Sequence, residues 1–269
     1  MLLWGVLLKE ISFPPGGDTF PMSLPLVRNG QRLTLDAPVT VIVGENGSGK
    51  STLLEALAYA CQLPMAGSAD SVDTDRTLAH VRPLGEALRL SWSRRTRRGL
   101  FLRAEDFFGY VQAQNQLKAD LRRQAEELRL EDSGRSEEEL RRISAPFTGS
   151  VAALEERYGG DLDARSHGES FLAFFRGRLT GEGLYVLDEP EAALSPLRQL
   201  AFLSLILEAV ERGAQFIIAT HAPILMACPG ARLYEIRGEE FAPAQFDELE
   251  HVQIMREFLA APEAFLRHL

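Results

Sequence analysis

Cysteine is nearly absent from this chain. Only Cys61 and Cys228 occur in 269 residues, far apart, with no Cys-x-x-Cys pair and no Cys/His cluster. That excludes a disulfide scaffold and a structural zinc site, and it points to two reduced thiols in a cytoplasmic protein. Excess positive charge is missing too. Lys and Arg number 29 against 38 Asp and Glu, a formal net charge of −9. A protein that coats nucleic acid is not built this way, although a local basic patch remains compatible. No apolar run approaches the ~20 residues that cross a bilayer. Met1 to Leu8 is apolar but brief, lacks a basic leader and runs into Lys9-Glu10. It reads as a buried strand rather than a signal peptide, and no direct membrane insertion is expected. There is no internal repeat, no long heptad series and no Asn-Lys-x-Asp guanine motif. What is present is ordinary for a globular protein, with 45% hydrophobic and 25% charged residues. The length exceeds a soft prior of ~150 residues per domain and suits one α/β unit with inserted subdomains.

Residues 44–52, Gly-Glu-Asn-Gly-Ser-Gly-Lys-Ser-Thr, satisfy G-x-x-x-x-G-K-[ST] at every fixed position. The β-branched run from Val39 to Val43 leads in as a buried central strand, and a helix from Gly49 to about Gln62 leads out, ending before Pro64. Strand, loop and helix in this order form a phosphate cradle. Gly44, Gly47 and Gly49 let the backbone curl so that the N–H groups from Asn46 through Ser48 to Lys50 converge on an anion at a helix N-terminus. Lys50 brings a mobile positive charge, the Ser51 hydroxyl is placed for Mg²⁺, and Thr52 completes the motif.

Elsewhere the chain alternates strand and helix signals. Pro14-Pro15-Gly16-Gly17 breaks the first strands. Leu88–Trp92 and Leu100–Leu102 suggest a hairpin around an arginine-rich tip, Arg94, Arg95, Arg97 and Arg98, which reads as a solvated turn. Residues 114–142 read as charged helix with a break at Asp132-Ser133-Gly134, then a capping box from Ser136 to Glu139. Ser195-Pro196 opens a helix with Leu197, Leu200, Leu203, Leu207 and Val210 along one side. Leu249, Val252, Met255, Phe258 and Leu259 recur at helical spacing in the tail.

The apolar strand Leu184–Leu187 ends in Asp188-Glu189-Pro190. Asp188 is suited to hold Mg²⁺, and Glu189 to orient and deprotonate a water against a γ-phosphate. A second short strand, Phe216–Ala219, ends in Thr220-His221, on the ligand edge of a parallel sheet. There His221 can contact the γ-phosphate or the attacking water. Between the loop and Asp188, Ser166-His167-Gly168-Glu169 precedes an apolar helix and makes a second anion-facing surface.

The ordered set of phosphate loop, Ser/Gly signature, Asp-Glu-Pro, Ala-Ala-Leu-Ser turn and switch histidine resembles the ATP-binding-cassette (ABC) ATPases, including the SMC, Rad50 and RecF heads and compact stand-alone bacterial ATPases. Twenty positions separate Gly168 from Asp188 and 32 separate Glu189 from His221, similar to that family's spacing. The resemblance covers most of residues 39–225. It implies an α/β phosphate-loop fold with a mainly parallel sheet. In detail it implies an antiparallel β portion at 1–43 and 84–104, a helical signature subdomain at 105–180, a nucleotide core at 39–62 and 181–236, and C-terminal helices at 247–269. It implies ATP and Mg²⁺ as cofactors, hydrolysis with Glu189 as base, and Ser166 and Gly168 completing the ATP site of a second copy. A homodimer on ATP, with a protein or DNA partner, follows from the same resemblance. The other readings are a transporter's ATPase subunit and a nucleotide-gated module with little turnover. Arg165 and His167 depart from the usual signature. The family's mid-domain Gln corresponds to Glu105 or Gln112; the adenine-stacking aromatic has no assigned position, with Phe13 and Phe20 as the candidates.

Overall fold

The computed structural model describes residues 6–66, 76–131, 136, 138–139, 142–146, 149, 167–179 and 181–267. In chain order, β1 (Leu8–Ser12), α1 (Pro25–Arg28), β2 (Arg32–Thr34) and β3 (Val39–Val43) precede α2 (Lys50–Cys61). A 3₁₀ turn (Arg76–Val81) and α3 (Arg82–Ala87) lead to β4 (Arg89–Trp92), β5 (Gly99–Arg103) and the long α4 (Ala104–Glu131). Then come α5 (His167–Arg178), β6 (Gly183–Asp188), α6 (Pro196–Glu211), β7 (Ala214–Ala219) and α7 (Pro223–Met226). The chain closes with β8 (Arg232–Arg237), β9 (Glu240–Ala244), α8 (Glu250–Ala260) and α9 (Pro262–Leu266).

Six strands form the main sheet in the order β5-β6-β7-β3-β8-β9. All its pairings are parallel except β8–β9. All five residues of β3 are buried, as are all six of β6 and of β7, the pattern of strands covered on both faces. Val39, Val41 and Val43 point into one core with Phe171, Phe175 and Phe202 from α5 and α6. Ile42 points into the other, with Leu53, Leu54 and Leu57 of α2 and Leu8 and Ile11 of β1. A period of two through β3 therefore feeds two apolar layers.

A three-stranded antiparallel sheet, β2-β1-β4, lies over the second core. Gln215, fully buried on β7, joins the two sheets. Its Oε1 accepts from the N–H of Leu7 at 3.0 Å and of Leu8 at 2.8 Å, and its Nε2 donates to the Leu8 carbonyl at 2.8 Å.

Two sequence expectations change here. β4 and β5 do not form a hairpin, and residues 99–103 are not part of the antiparallel portion assigned to 84–104. β4 pairs with β1, whereas β5 pairs parallel with β6 at the edge of the main sheet. Gly99 makes this possible. Its φ is +128°, and a Cβ there would lie 1.7 Å from the Leu184 carbonyl oxygen, so only glycine lets the chain press onto β6. The apolar side expected of α6 is borne out only in part. Phe202, Ile206 and Ala209 are buried, while Leu197 and Leu200 are exposed at 76% and 53%. Leu203, Leu207 and Val210, from the expected side, are half-buried and pack against the same core.

The helix that follows β5 starts earlier than expected, at Ala104, because Phe107 packs against Phe171 and Phe174. The capping box at Ser136 is present. Its N–H and hydroxyl both donate to Glu139 Oε2, at 3.1 and 3.0 Å. Among the described residues no helix is long and apolar enough to cross a membrane.

Candidate nucleotide site

Among the described residues, the loop Gly44–Gly49, Arg103, Asp188-Glu189 and His221 lie at or just past the carboxyl ends of β3, β5, β6 and β7. That is a consequence of parallel pairing: the register sets Arg103 beside Asp188, and Asp188 beside Ala219. Loops leaving neighbouring strands on one edge must then share a cleft.

From β3 the chain enters the loop Gly44–Gly49 and turns into α2. Gly47 and Gly49 hold φ of +81° and +96°, left-handed values that open the nest. Gly49 also lies tight on α1: a Cβ there would sit 2.4 Å from Leu26 Cδ2. Lys50, the first residue of α2, is 4% exposed, and its ammonium curls back to donate to the carbonyls of Gly44 at 2.7 Å and Glu45 at 2.9 Å. Burial pulls the Lys50 pKa below its usual value, and the carboxylates of Glu189, Asp188 and Glu191 oppose that fall. Those acids lie some 140 residues downstream, so the fold brings both halves of the sequence motif together. Ser48 Oγ is buried without a hydrogen-bond partner among the described residues. Asn46 and Gly47 are exposed, and Thr52 is half-buried in the first turn of α2.

Asp188 ends β6 and is buried. Burial pushes its carboxyl up to about 7; a hydrogen bond from Ser51 and the charge of Lys50 act against this, while Glu189 and Glu55 add to it. Its Oδ1 has no hydrogen-bond partner among the described residues. An orphaned, desolvated carboxylate oxygen beside a serine hydroxyl fits Mg²⁺, which takes a few protein oxygens and fills its octahedron from phosphate and water. A dedicated cage is a different arrangement, and no cluster of three or more His, Cys, Asp or Glu suited to a metal occurs among the described residues.

Glu189 follows with φ +47° and ψ +48°, a left-handed backbone that a non-glycine residue adopts at a cost of about 1–3 kcal/mol. Its N–H donates to the Ala219 carbonyl at 2.9 Å, and its carboxylate lies 3.7 Å from His221 Nε2. The His221 N–H donates to Glu191 Oε1 at 2.6 Å. Glu191 therefore positions the turn after β7, and its buried Oε2 has no partner among the described residues.

Two clefts open around this edge. One, about 360 Å³, is lined by Ser51, Glu55, Arg103, Ala104, Asp188, Glu189 and Ala192. The other, about 800 Å³, runs along the outer side of the loop from Gly44 to Ser48, with His221. Its far wall is the β8–β9 turn (Glu235 to Gly238) together with Glu250, His251 and Ile254 of α8.

Not every expected residue is accounted for. Ser166 lies outside the described residues. Gly168 sits buried in the first turn of α5, where a Cβ would meet Arg198 at 2.7 Å and the Ala193 carbonyl at 3.1 Å; Arg198 pairs with Glu169 at 2.9 Å. Glu105 and Gln112 both fall within α4, but Arg103 and Ala104 form the cleft wall at that corner. Phe13 is a core residue packed on Phe241. Phe20 is exposed and stacks on the His80 ring. Neither phenylalanine lines either cleft. Sequence reasoning missed the Arg103–Glu55 pair, whose signal was a charged residue in each of two apolar runs, Leu53–Leu57 and Leu100–Arg103.

The AAA domain family matches residues 22–143 of the chain. No curated protein is detectably similar. Among solved structures, the Smc head domain of Pyrococcus furiosus, with an extended coiled coil and bound to the C-terminal domain of ScpA, is 14% identical. That comparison covers 94% of this chain and 99% of that one at a TM-score of 0.48. The SMC head domain of Thermotoga maritima is 16% identical over 89% and 99% of the two chains, TM-score 0.44. A subunit of an ABC transporter complex from Clostridium perfringens is 18% identical over 98% and 100%, TM-score 0.46.

Proposed function

With an ABC-type phosphate-loop ATPase fold as the premise, we propose that this protein is a magnesium-dependent ATPase. It joins two copies of itself when ATP binds and releases them on hydrolysis, as a cytoplasmic switch for a protein or DNA partner. One observation carries the reading: Ser51, Asp188 and Glu189 line a single cleft, with Lys50 behind it and His221 within 4 Å of Glu189. The AAA domain match supports the ATPase part; the metal, the dimer and the residue roles are argued from the cleft's chemistry and from the family resemblance.

The loop N–H groups from Asn46 to Lys50 and the Ser48 hydroxyl bind the phosphates. Lys50 exchanges its carbonyl partners at Gly44 and Glu45 for β- and γ-oxygens. Ser51 and Asp188 hold Mg²⁺, which when bound spreads the charge of those oxygens. Glu189 accepts the proton of the attacking water, and His221 keeps the Glu189 carboxylate and the γ-phosphate in register. Ser166 and Gly168 are assigned to the γ-phosphate of the opposite copy from the family resemblance.

The test is Glu189→Gln. It keeps the shape of the side chain and removes the base, so ATP binds, turnover falls by about 10²–10⁴, and an ATP-dependent dimer accumulates in light scattering. Normal multiple-turnover phosphate release by this variant would falsify the role.

A further inference from the structure

We propose that Arg103 is a second cation of the nucleotide cleft, which Glu55 holds back until a nucleoside triphosphate enters and which then turns onto its terminal phosphate oxygens. This rests on the ATPase reading above and deepens it, because the same cleft gains a charge that nothing in the motif set supplies.

The geometry begins with four side chains at the corners of the smaller cleft. Ser51 and Glu55 are one turn apart on α2 and share a face. Arg103 and Asp188 are register partners at the ends of β5 and β6. All four line the cavity beside Glu189. Arg103 Nη1 lies 2.8 Å from Glu55 Oε1, with both side chains under a tenth exposed. The other Glu55 oxygen, Oε2, is 3.2 Å from His80 Nε2, which is 45% exposed and stacked on Phe20.

Charge explains why this matters. Glu55, Asp188 and Glu189 bring three carboxylates to the cleft wall, and a triphosphate adds several more negative oxygens. Arg103 is the cation among the described residues lining it. Lys50, which does not line this cleft, is held on the loop carbonyls of Gly44 and Glu45. A guanidinium offers five donors in a planar fork and can engage a phosphate bidentately. It can also keep one edge on Glu55 while presenting another to the ligand. His80 contacts Glu55 from outside, so Glu55 stays anchored when Arg103 shifts its weight. The site is the end nearest Ser51 and Asp188, so the contact is with the terminal phosphate of ATP and is not made with ADP.

The experiment is a double-mutant cycle on the full-length protein: wild type, Arg103→Gln, Glu55→Gln and the double variant. Each is measured for ATP turnover, for affinity toward ADP and a non-hydrolysable ATP analogue, and for thermal midpoint. Arg103→Gln is expected to lower turnover by about 100-fold and to weaken the analogue while leaving ADP unchanged. Thermal midpoints should couple, because Arg103 and Glu55 are direct partners at 2.8 Å with both side chains buried. Turnover should not be rescued: the double variant stays at least as slow as Arg103→Gln. Recovery of turnover in the double variant to the level of Glu55→Gln would overturn the proposal and make the pair purely structural. So would equal losses for ADP and the analogue, or a normal rate in Arg103→Gln. A wild type that binds but never hydrolyses ATP sinks the ATPase reading itself, which is a separate result.

Discussion

Asp188 shows most plainly what a single residue contributes here. Its carboxyl is held up at about 7 against 3.8 in an unfolded chain, mainly by burial. The folded protein therefore holds this proton more tightly than the unfolded one. The resulting stability is fully present below about pH 4, shrinks as pH rises, and is lost above about 7. The full span corresponds to about 4 kcal/mol at most, at 1.36 kcal/mol per pKa unit. Asp188→Asn, which cannot ionise, should raise the melting temperature of the ligand-free protein at pH 8 and leave it nearly unchanged at pH 4. An unchanged melting temperature at pH 8 would mean the carboxyl is already solvated or paired. The same variant should lose magnesium-dependent ATP turnover, so a stabilising change removes function, as expected where a site stores an unfavourable charge. Neither cysteine joins in this chemistry: burial pushes Cys61 up to about 12 and Cys228 to about 11, far from the thiolate range at neutral pH.

Among the elements, the seam between the two sheets governs how firmly the site is held. Gln215 satisfies two backbone donors and one acceptor on Leu7 and Leu8. Gln215→Leu keeps similar bulk but strands those groups in the core, at about 1–3 kcal/mol for each group left unsatisfied. A loss of about 3 kcal/mol or more in denaturant unfolding is expected; less than about 1 kcal/mol would show that the seam is held by apolar packing alone. The phenylalanine cluster acts likewise on the other face. Phe171, Phe175 and Phe202 meet edge to face or tilted at 4.7–5.5 Å and fix α5 against α6, so Gly168 keeps its place beside Arg198. This level was partly legible beforehand. β3, β6 and β7 announce themselves as short apolar runs because both their faces are covered. β5 was legible as a strand but not as a partner of β6, since only the closeness of Gly99 to Leu184 decides that pairing. The apolar stripe of α6 was legible in part for a related reason: Leu203, Leu207 and Val210 pack on the core while Leu197 and Leu200 stay exposed, because what lies against the helix decides how far its buried face reaches.

For the whole molecule, the proposal predicts a protein whose oligomeric state follows its nucleotide. Ser166→Arg should leave ATP binding by the single copy intact and block the ATP-dependent dimer, as read by sedimentation with Glu189→Gln as background. Undiminished dimerisation would remove Ser166 from the interface. The sequence by itself determined the phosphate loop, the Asp188-Glu189 step and the histidine after β7. These are short contiguous patterns whose chemistry is set by local backbone geometry, and a strand ending in acids or a glycine nest is visible without neighbours. Only the tertiary structure decided which distant groups share a cleft. Arg103 opposite Asp188, Glu55 under both, His80 behind Glu55 and Gln215 across the sheets are each separated by tens to hundreds of residues. Their partners are chosen by strand register and by the need to pair every buried charge and donor, a requirement that exists only once the chain has closed around them.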